Sequence, residues 1–279
     1  MDGNSLKWYP GHIAKARRKI REQLSKINIL VEVLDARAPI SSDSGIFNQI
    51  QGKQIIYVVN KCDLIEDSYL KEIKKHFSGN KDVIFLSAKR SKNMKEILNR
   101  IKTYSKGKTS NLSKFGFKNT IVHVMIAGMP NVGKTEIIKK ISGRKKLQVA
   151  NRPGVTRNQQ WISFENIRIM DTPGVLYPDF EDDDVVKKLA FLNIVDPARI
   201  GYEIVFEFIY NNLSQLERNI ICENYRILET DIEFEIFLEK ISEKTGIKGN
   251  ENIASRVFSD YNKGCFKQIV MDRLNEDKS

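Results

Sequence analysis

The octapeptide GMPNVGKT, residues 128–135, sets two glycines, a lysine and a hydroxyl residue at the spacing G-x-x-x-x-G-K-[ST]. It lies between the apolar run TIVHVMIA (120–127) and the helix-forming run TEIIKKISG (135–143). Glycines let the backbone curl until successive N–H groups point inward, and the following helix turns its positive end on the same point. A loop of this kind holds phosphate. Pro130, Asn131, Val132 and Gly133 would form the cradle, Lys134 would place a point charge on the β- and γ-phosphates, and Thr135 would offer a hydroxyl to Mg²⁺.

Three further strings extend that chemistry. DTPG (171–174) ends the apolar run IRIMD, where Asp171 can hold a water of the metal and the Gly174 N–H can sense a γ-phosphate. Thr156, in NRPGVTR, lies between the two motifs, where a switch loop would bring a hydroxyl onto Mg²⁺. NKCD (60–63) reads a base: the Asp63 carboxylate can accept from guanine N1–H and its 2-amino group together, a pair that adenine lacks. Asn60 would bond the other base edge and tie the loop down, and the stem of Lys61 would pack over the ring. SAK (87–89: Ser87, Ala88, Lys89) would present the Ala88 N–H to guanine O6. Each short string is weak alone; their places at successive strand ends make them persuasive together.

The elements that must position these groups follow from the periodicity. Residues 29–37, 54–60, 83–88 and 120–127 are short β-branched apolar runs that read as buried strands. Residues 67–77 and 92–104 carry apolar positions three and four apart, as helices do. Strands alternating with helices predict a mostly parallel sheet with helices on both faces. WISF and IRIMD flank Glu165-Asn166 as a hairpin, Gly143 stops the helix after the phosphate loop, and polar residues 105–118 read as a linker or surface loop. Beyond the acidic string EDDD (181–184), four stretches have helical period. The chain thus divides into a basic segment (1–28), an α/β domain (29–182) and a smaller, mainly helical domain (183–279).

Charge is distributed unevenly. Up to position 184 there are 33 basic and 19 acidic residues, and beyond it 13 and 16. Residues 1–28, 102–118 and 139–157 hold most of the excess, a pattern that suits a polyanion such as nucleic acid and also suits a solvated lysine-rich surface. No apolar run reaches the ~18 residues of a membrane span, and no secretion signal opens the sequence. Cys62, Cys222 and Cys265 lack paired spacing, which fits reduced thiols in a cytoplasmic protein.

The order NKCD, SAK, GMPNVGKT, Thr156, DTPG places the base reader ahead of the phosphate loop. In this the chain resembles the circularly permuted GTPases, and WYPGHIAKARRKI, NRPGVTR and DTPGVLYP make it similar to the YlqF/RbgA family, ribosome biogenesis GTPase A. The resemblance covers essentially the whole chain, with a looser match at ASRVFSDYNKGCF. It implies a circularly permuted P-loop GTPase domain followed by a helical domain. It also implies GTP hydrolysis coupled to late maturation of the large ribosomal subunit, with contact to ribosomal RNA and to ribosomal proteins. A monomer away from the ribosome is expected. Joining the old termini through 105–118 preserves every loop, because site loops lie at the carboxyl ends of parallel strands. It also sets the helical domain soon after DTPG, where a nucleotide-sensitive loop can move it.

The water-orienting residue is open. The position after Gly174, where many GTPases carry a glutamine, is Val175, whose isopropyl group cannot orient water, so slow intrinsic hydrolysis is expected. The resemblance supplies His12, either as catalyst or as an RNA-facing or structural histidine, while His76 and His123 read as structural. Asn131 stands where potassium-stimulated GTPases hold K⁺ beside the phosphates. Two other readings remain. One is a GTP-gated switch whose RNA or protein target is not the ribosome; the other, far weaker, is an ATP-using enzyme with an accidental NKCD.

Overall fold

The computed structural model describes residues 18, 22–45, 47, 50–79, 81–113, 121–143, 160–172, 182–229 and 232–274. Six strands form one sheet: β1 (Ile29–Asp35), β2 (Gln54–Asn60), β3 (Val83–Phe85), β4 (Val122–Ala127), β5 (Gln160–Phe164) and β6 (Ile167–Asp171). Their spatial order is β3-β2-β1-β4-β6-β5. All pairings are parallel except that of β5 with β6, the expected hairpin, which turns at a left-handed Glu165 (φ 51°). β1, β2 and β3 spread one way from the centre and β4 and β6 the other, so the crevice between β1 and β4 is the switch point at which open α/β sheets bind ligands. Asp35 pairs with Asn60, Glu32 with Ala127, and Ile126 with Asp171, which gathers the loop-bearing strand ends on one edge.

Alternation along β1 divides the two faces. Ile29, Val31 and Val33 point into the larger core, joined by Ile97 and Ile101 of α2 (Met94–Ser113) and by Ile137, Ile138 and Ile141 of α3 (Lys134–Ser142). Leu30 and Leu34 face the opposite side, where Leu34 meets Tyr69 and Ile73 of α1 (Asp67–His76). Glu32 lies on that side too, fully buried. Its Oε1 accepts from the backbone N–H and hydroxyl of Ser44, while its Oε2 has no partner among the described residues. Burial, then the neighbouring Asp43, push this carboxyl up to about 7.

The region after Asp182 is helical as expected, with α4 (Asp183–Phe191), α5 (Tyr202–Asn212), α6 (Gln215–Asn224), α7 (Phe234–Thr245) and α8 (Asn250–Lys263). The stretch EFEIF, with its strand-like alternation, is helical within α7. The helix α6 has only a thin apolar side to announce it, with Ile221 and Cys222 buried. Its signal is the capping box, in which Ser214 Oγ accepts from the Glu217 N–H and Glu217 reaches back to the Ser214 N–H. Phe191, Phe206, Tyr210 and Phe237 of these helices belong to the same continuous apolar core as the sheet face. One expectation fails: residues 105–113 are not a linker but continue α2 to Ser113. With no proline there, extending an existing helix costs less than starting a new element, and one glycine does not stop it. Residues 114–118 lie outside the described residues. No helix among the described residues is long and apolar enough to cross a membrane.

The end of the described chain returns to its beginning. The Met271 N–H donates to Arg37 O (2.8 Å), and Asp272 accepts from the Ile40 and Ser41 N–H groups at 2.7 and 2.9 Å. Tyr69 of α1 donates its hydroxyl to Asp272 O at 2.7 Å.

Candidate functional site

The phosphate-type loop joins β4 to α3. Gly128 (φ 142°) and Gly133 (φ 103°) hold backbone conformations that side chains avoid, and neither has room for one. A Cβ on Gly128 would meet Val33 O at 2.4 Å, and one on Gly133 would meet Asn60 Nδ2 at 2.2 Å. The second contact is instructive, because Asn60 belongs to the base-type loop. The Asn60 amide nitrogen donates to Val132 O at 2.8 Å, and its oxygen accepts the Ala88 N–H at 3.0 Å. One buried side chain therefore holds NKCD, SAK and GMPNVGKT together. Both amide atoms of Asn60 and the Ala88 N–H are thus engaged with protein rather than presented to a base.

Asp63 is the central residue of the short 3₁₀ turn Cys62–Leu64 that follows β2. Its Oδ1 accepts from Ser87 Oγ at 2.5 Å, and its Oδ2 lies 3.5 Å from Arg90 Nε, so the SAK loop fixes the carboxylate. Ser87 pairs with Lys92 in an isolated bridge, which closes that loop. Lys61 has a left-handed backbone (φ 65°), and its ammonium is drawn to Asp35 Oδ2 at 2.7 Å. Burial pulls the Lys61 ammonium down, with Asp35 opposing.

At the phosphate end, Lys134 is buried and donates to Met129 O at 2.6 Å, across the loop it belongs to. Burial lowers its ammonium to about 8, against the pull of Asp171. Asp171 is raised by burial, opposed by Lys134. The Thr135 hydroxyl reaches Asp171 Oδ2 at 3.4 Å, while Asp171 Oδ1 is buried with no partner among the described residues. A hydroxyl beside a carboxylate with an orphaned oxygen is a donor set suited to a hard divalent cation, so these residues fit Mg²⁺. Asn131 (φ 56°) turns its amide nitrogen onto Asn193 O at 2.6 Å, just past α4. That contact ties the phosphate loop to the helical region and leaves the amide oxygen for another partner.

His12, Thr156, Gly174 and Val175 lie outside the described residues. His123 packs edge-on to Trp161 (5.3 Å between centroids), and His76 is edge-on to Phe77, in keeping with structural roles. Two residues at the site were absent from the sequence reading. Asp35 is fully buried where β1 ends, between the base loop and the phosphate loop, and Arg37 lies beside it with 1% exposure. The signal available for them was a charged pair, DAR, closing an otherwise apolar strand at the edge where site loops gather.

Comparison with known proteins agrees with this geometry. The model of a family described as 50S ribosome-binding GTPase matches residues 123–229. A ribosome biogenesis GTPase A of Bacillus licheniformis is 33% identical over 246 residues, covering 86% of this chain and 86% of that protein. Another, of Priestia megaterium, is 29% identical over 278 residues, covering 98% and 94%. The GNP-bound crystal structure of YlqF from Thermotoga maritima superposes with a TM-score of 0.62 at 25% identity, covering 94% of this chain and 99% of that one. With NKCD ahead of GMPNVGKT on one P-loop sheet, the chain is a circularly permuted GTPase and belongs to the ribosome biogenesis GTPase A family.

Proposed function

We propose that this GTPase is an assembly factor of the large ribosomal subunit, acting late in its maturation, in contact with ribosomal RNA and with ribosomal proteins. The observation that carries the nucleotide half is Asn60, whose side chain joins the base-reading and phosphate-holding loops into one binding unit. The ribosomal half rests on the names of the relatives and on the basic charge of residues 1–28 and 139–157.

Within the site, Asp63 selects guanine by accepting two hydrogen bonds, and Lys61 lays its stem over the ring. The Ser87-Ala88-Lys89 loop lines the same edge, with guanine O6 sharing the Ala88 N–H with Asn60. The backbone from Pro130 to Gly133 and Lys134 hold the phosphates. Burial lets the Lys134 charge act at low dielectric, and phosphate oxygens restore the partner that its desolvation lacks. Thr135, Thr156 and the water shell of Asp171 would hold Mg²⁺, which neutralises charge developing on the phosphoryl oxygens. The Gly174 N–H would sense the γ-phosphate. Asn131, its amide oxygen turned from Asn193, would hold K⁺ beside the phosphates. With Val175 unable to orient water, turnover is slow until the ribosomal subunit stimulates it, and His12 is the residue that would then orient the attacking water.

The test is sedimentation with isolated large subunits in the presence of a non-hydrolysable GTP analogue. Salt-resistant co-sedimentation, with hydrolysis stimulated by subunits but not by bulk RNA, is expected. Stimulation by bulk RNA alone would point instead to a GTP-gated switch with another target.

A further inference from the structure

Asp35 is the only carboxylate that the Lys61 ammonium meets at hydrogen-bond distance among the described residues. Its other contacts lead away from the site. Asp35 Oδ1 accepts from the backbone N–H and Nε of Arg37 at 3.1 and 2.9 Å, and Oδ2 accepts from Arg37 Nη2 at 2.8 Å. Arg37 in turn gives Nη1 to Asn262 Oδ1 at 3.0 Å, and its guanidinium lies 5.1 Å from the centroid of the Tyr261 ring. Tyr261 and Asn262 form the last turn of α8, and Asn262 Nδ2 is fixed by Phe191 O and Phe258 O at 3.1 and 2.9 Å. The residue that stops α8, Gly264, sits so close to the base loop that a Cβ there would meet Leu64 Cδ2 at 2.8 Å.

Stability alone does not account for this arrangement. Arg37 already satisfies both oxygens of Asp35 in a two-pronged pair, so the buried cluster needs no second cation. Lys61 adds one nonetheless, at the cost of desolvation and of a left-handed backbone at a non-glycine residue. Those costs fall on the one lysine expected to lie over the base.

We propose that Asp35 is a positioning residue for guanine-nucleotide binding: it holds Lys61 in place, and Arg37 makes that hold depend on the seating of the α8 end through Tyr261 and Asn262. This rests on the reading of NKCD as the guanine loop. The helical region then touches the nucleotide at its base end through a packed relay. By reciprocity, bound nucleotide strengthens the seating of α8.

A double-mutant cycle read in nucleotide affinity tests this, using full-length protein and a fluorescent GDP. Asp35→Asn is expected to weaken GDP about tenfold, within the range usual for coupled sites. Asn262→Ala, which leaves the Asp35–Arg37 pair intact, is expected to weaken it several-fold, equally for GDP and for a GTP analogue because the change is at the base end. In a Lys61→Ala background both losses should vanish. Additive losses would overturn the proposal, since a merely structural role does not pass through Lys61. Should Asp35→Asn fail to fold, the Asn262→Ala cycle decides alone. A wild-type chain that bound ATP as well as GDP would overturn the guanine reading itself, a result distinct from additivity.

Discussion

Replacing Asn60 with alanine removes the one side chain that spans both loops of the site. The Asn60 side chain is buried, and its partners Val132 and Ala88 are 0% and 1% exposed, so water cannot readily replace it. Truncation leaves the Val132 carbonyl and the Ala88 N–H unpaired, at about 1–3 kcal/mol each, or roughly 2–6 kcal/mol together. For a chain of 279 residues that lowers the melting temperature by about 4–10 °C. Affinity for GDP falls in parallel, because base and phosphate loops no longer share a brace. Asn60→Asp separates the two bonds: it can still accept from Ala88 but sets a carboxylate against the Val132 carbonyl. It should therefore loosen the phosphate loop at least as much as alanine does. Circular dichroism melts without nucleotide, paired with fluorescent GDP titration, measure both effects. A melting point for Asn60→Ala within about 1 °C of wild type, with unchanged GDP affinity, would refute the bracing argument.

Other outcomes follow from the same geometry. Asp63→Asn removes the carboxylate proposed to accept two bonds from guanine and should weaken GTP by at least ~100-fold without changing ATP, measured by competition titration. Glu32, faced by Asp43, Ser44, Lys81 and Tyr57, titrates near 7 when folded and near 4.5 when unfolded. The folded state thus binds more protons between those values, and stability falls as pH rises through that window, by up to ~3 kcal/mol. Glu32→Gln should match wild type at pH 5 and exceed it at pH 8 in urea unfolding. Lys134, lowered to about 8, must be charged to hold phosphate, so GDP binding at pH 9 should take up protons and weaken as pH rises further. Calorimetry in buffers of different ionisation enthalpy reads that uptake. GTP turnover should be faster in KCl than in NaCl, with the difference lost in Asn131→Ala.

The strands were legible because parallel strands buried on both faces read as unbroken β-branched runs, QIIYVVN being one. The site motifs were legible because glycines and turn residues carry their own geometry, as Gly128 and Gly133 do. What stayed hidden depended on partners far along the chain. Nothing near Asp35 announces that Lys61 and Arg37 share it, and nothing near Arg37 points to Asn262, 225 positions away. The helix α6 escaped because its capping box starts a polar segment whose apolar side is thin. Residues 105–113 escaped because composition described their surface and not the helix feeding into them.

The return of Met271 and Asp272 to the loop after β1 has a consequence for the order of events at synthesis. Every nucleotide motif emerges before residue 175, yet the loop that follows Asp35 is closed by residues made nearly a hundred positions later. Such a contact spans 232 positions from Ile40 to Asp272 and forms late in folding, because long loops must close first. A nascent chain stopped short of that stretch would carry the complete set of motifs on an unclosed frame. Met271 and Asp272 act as a seal on the loop after β1, withholding the finished frame until they too have been made.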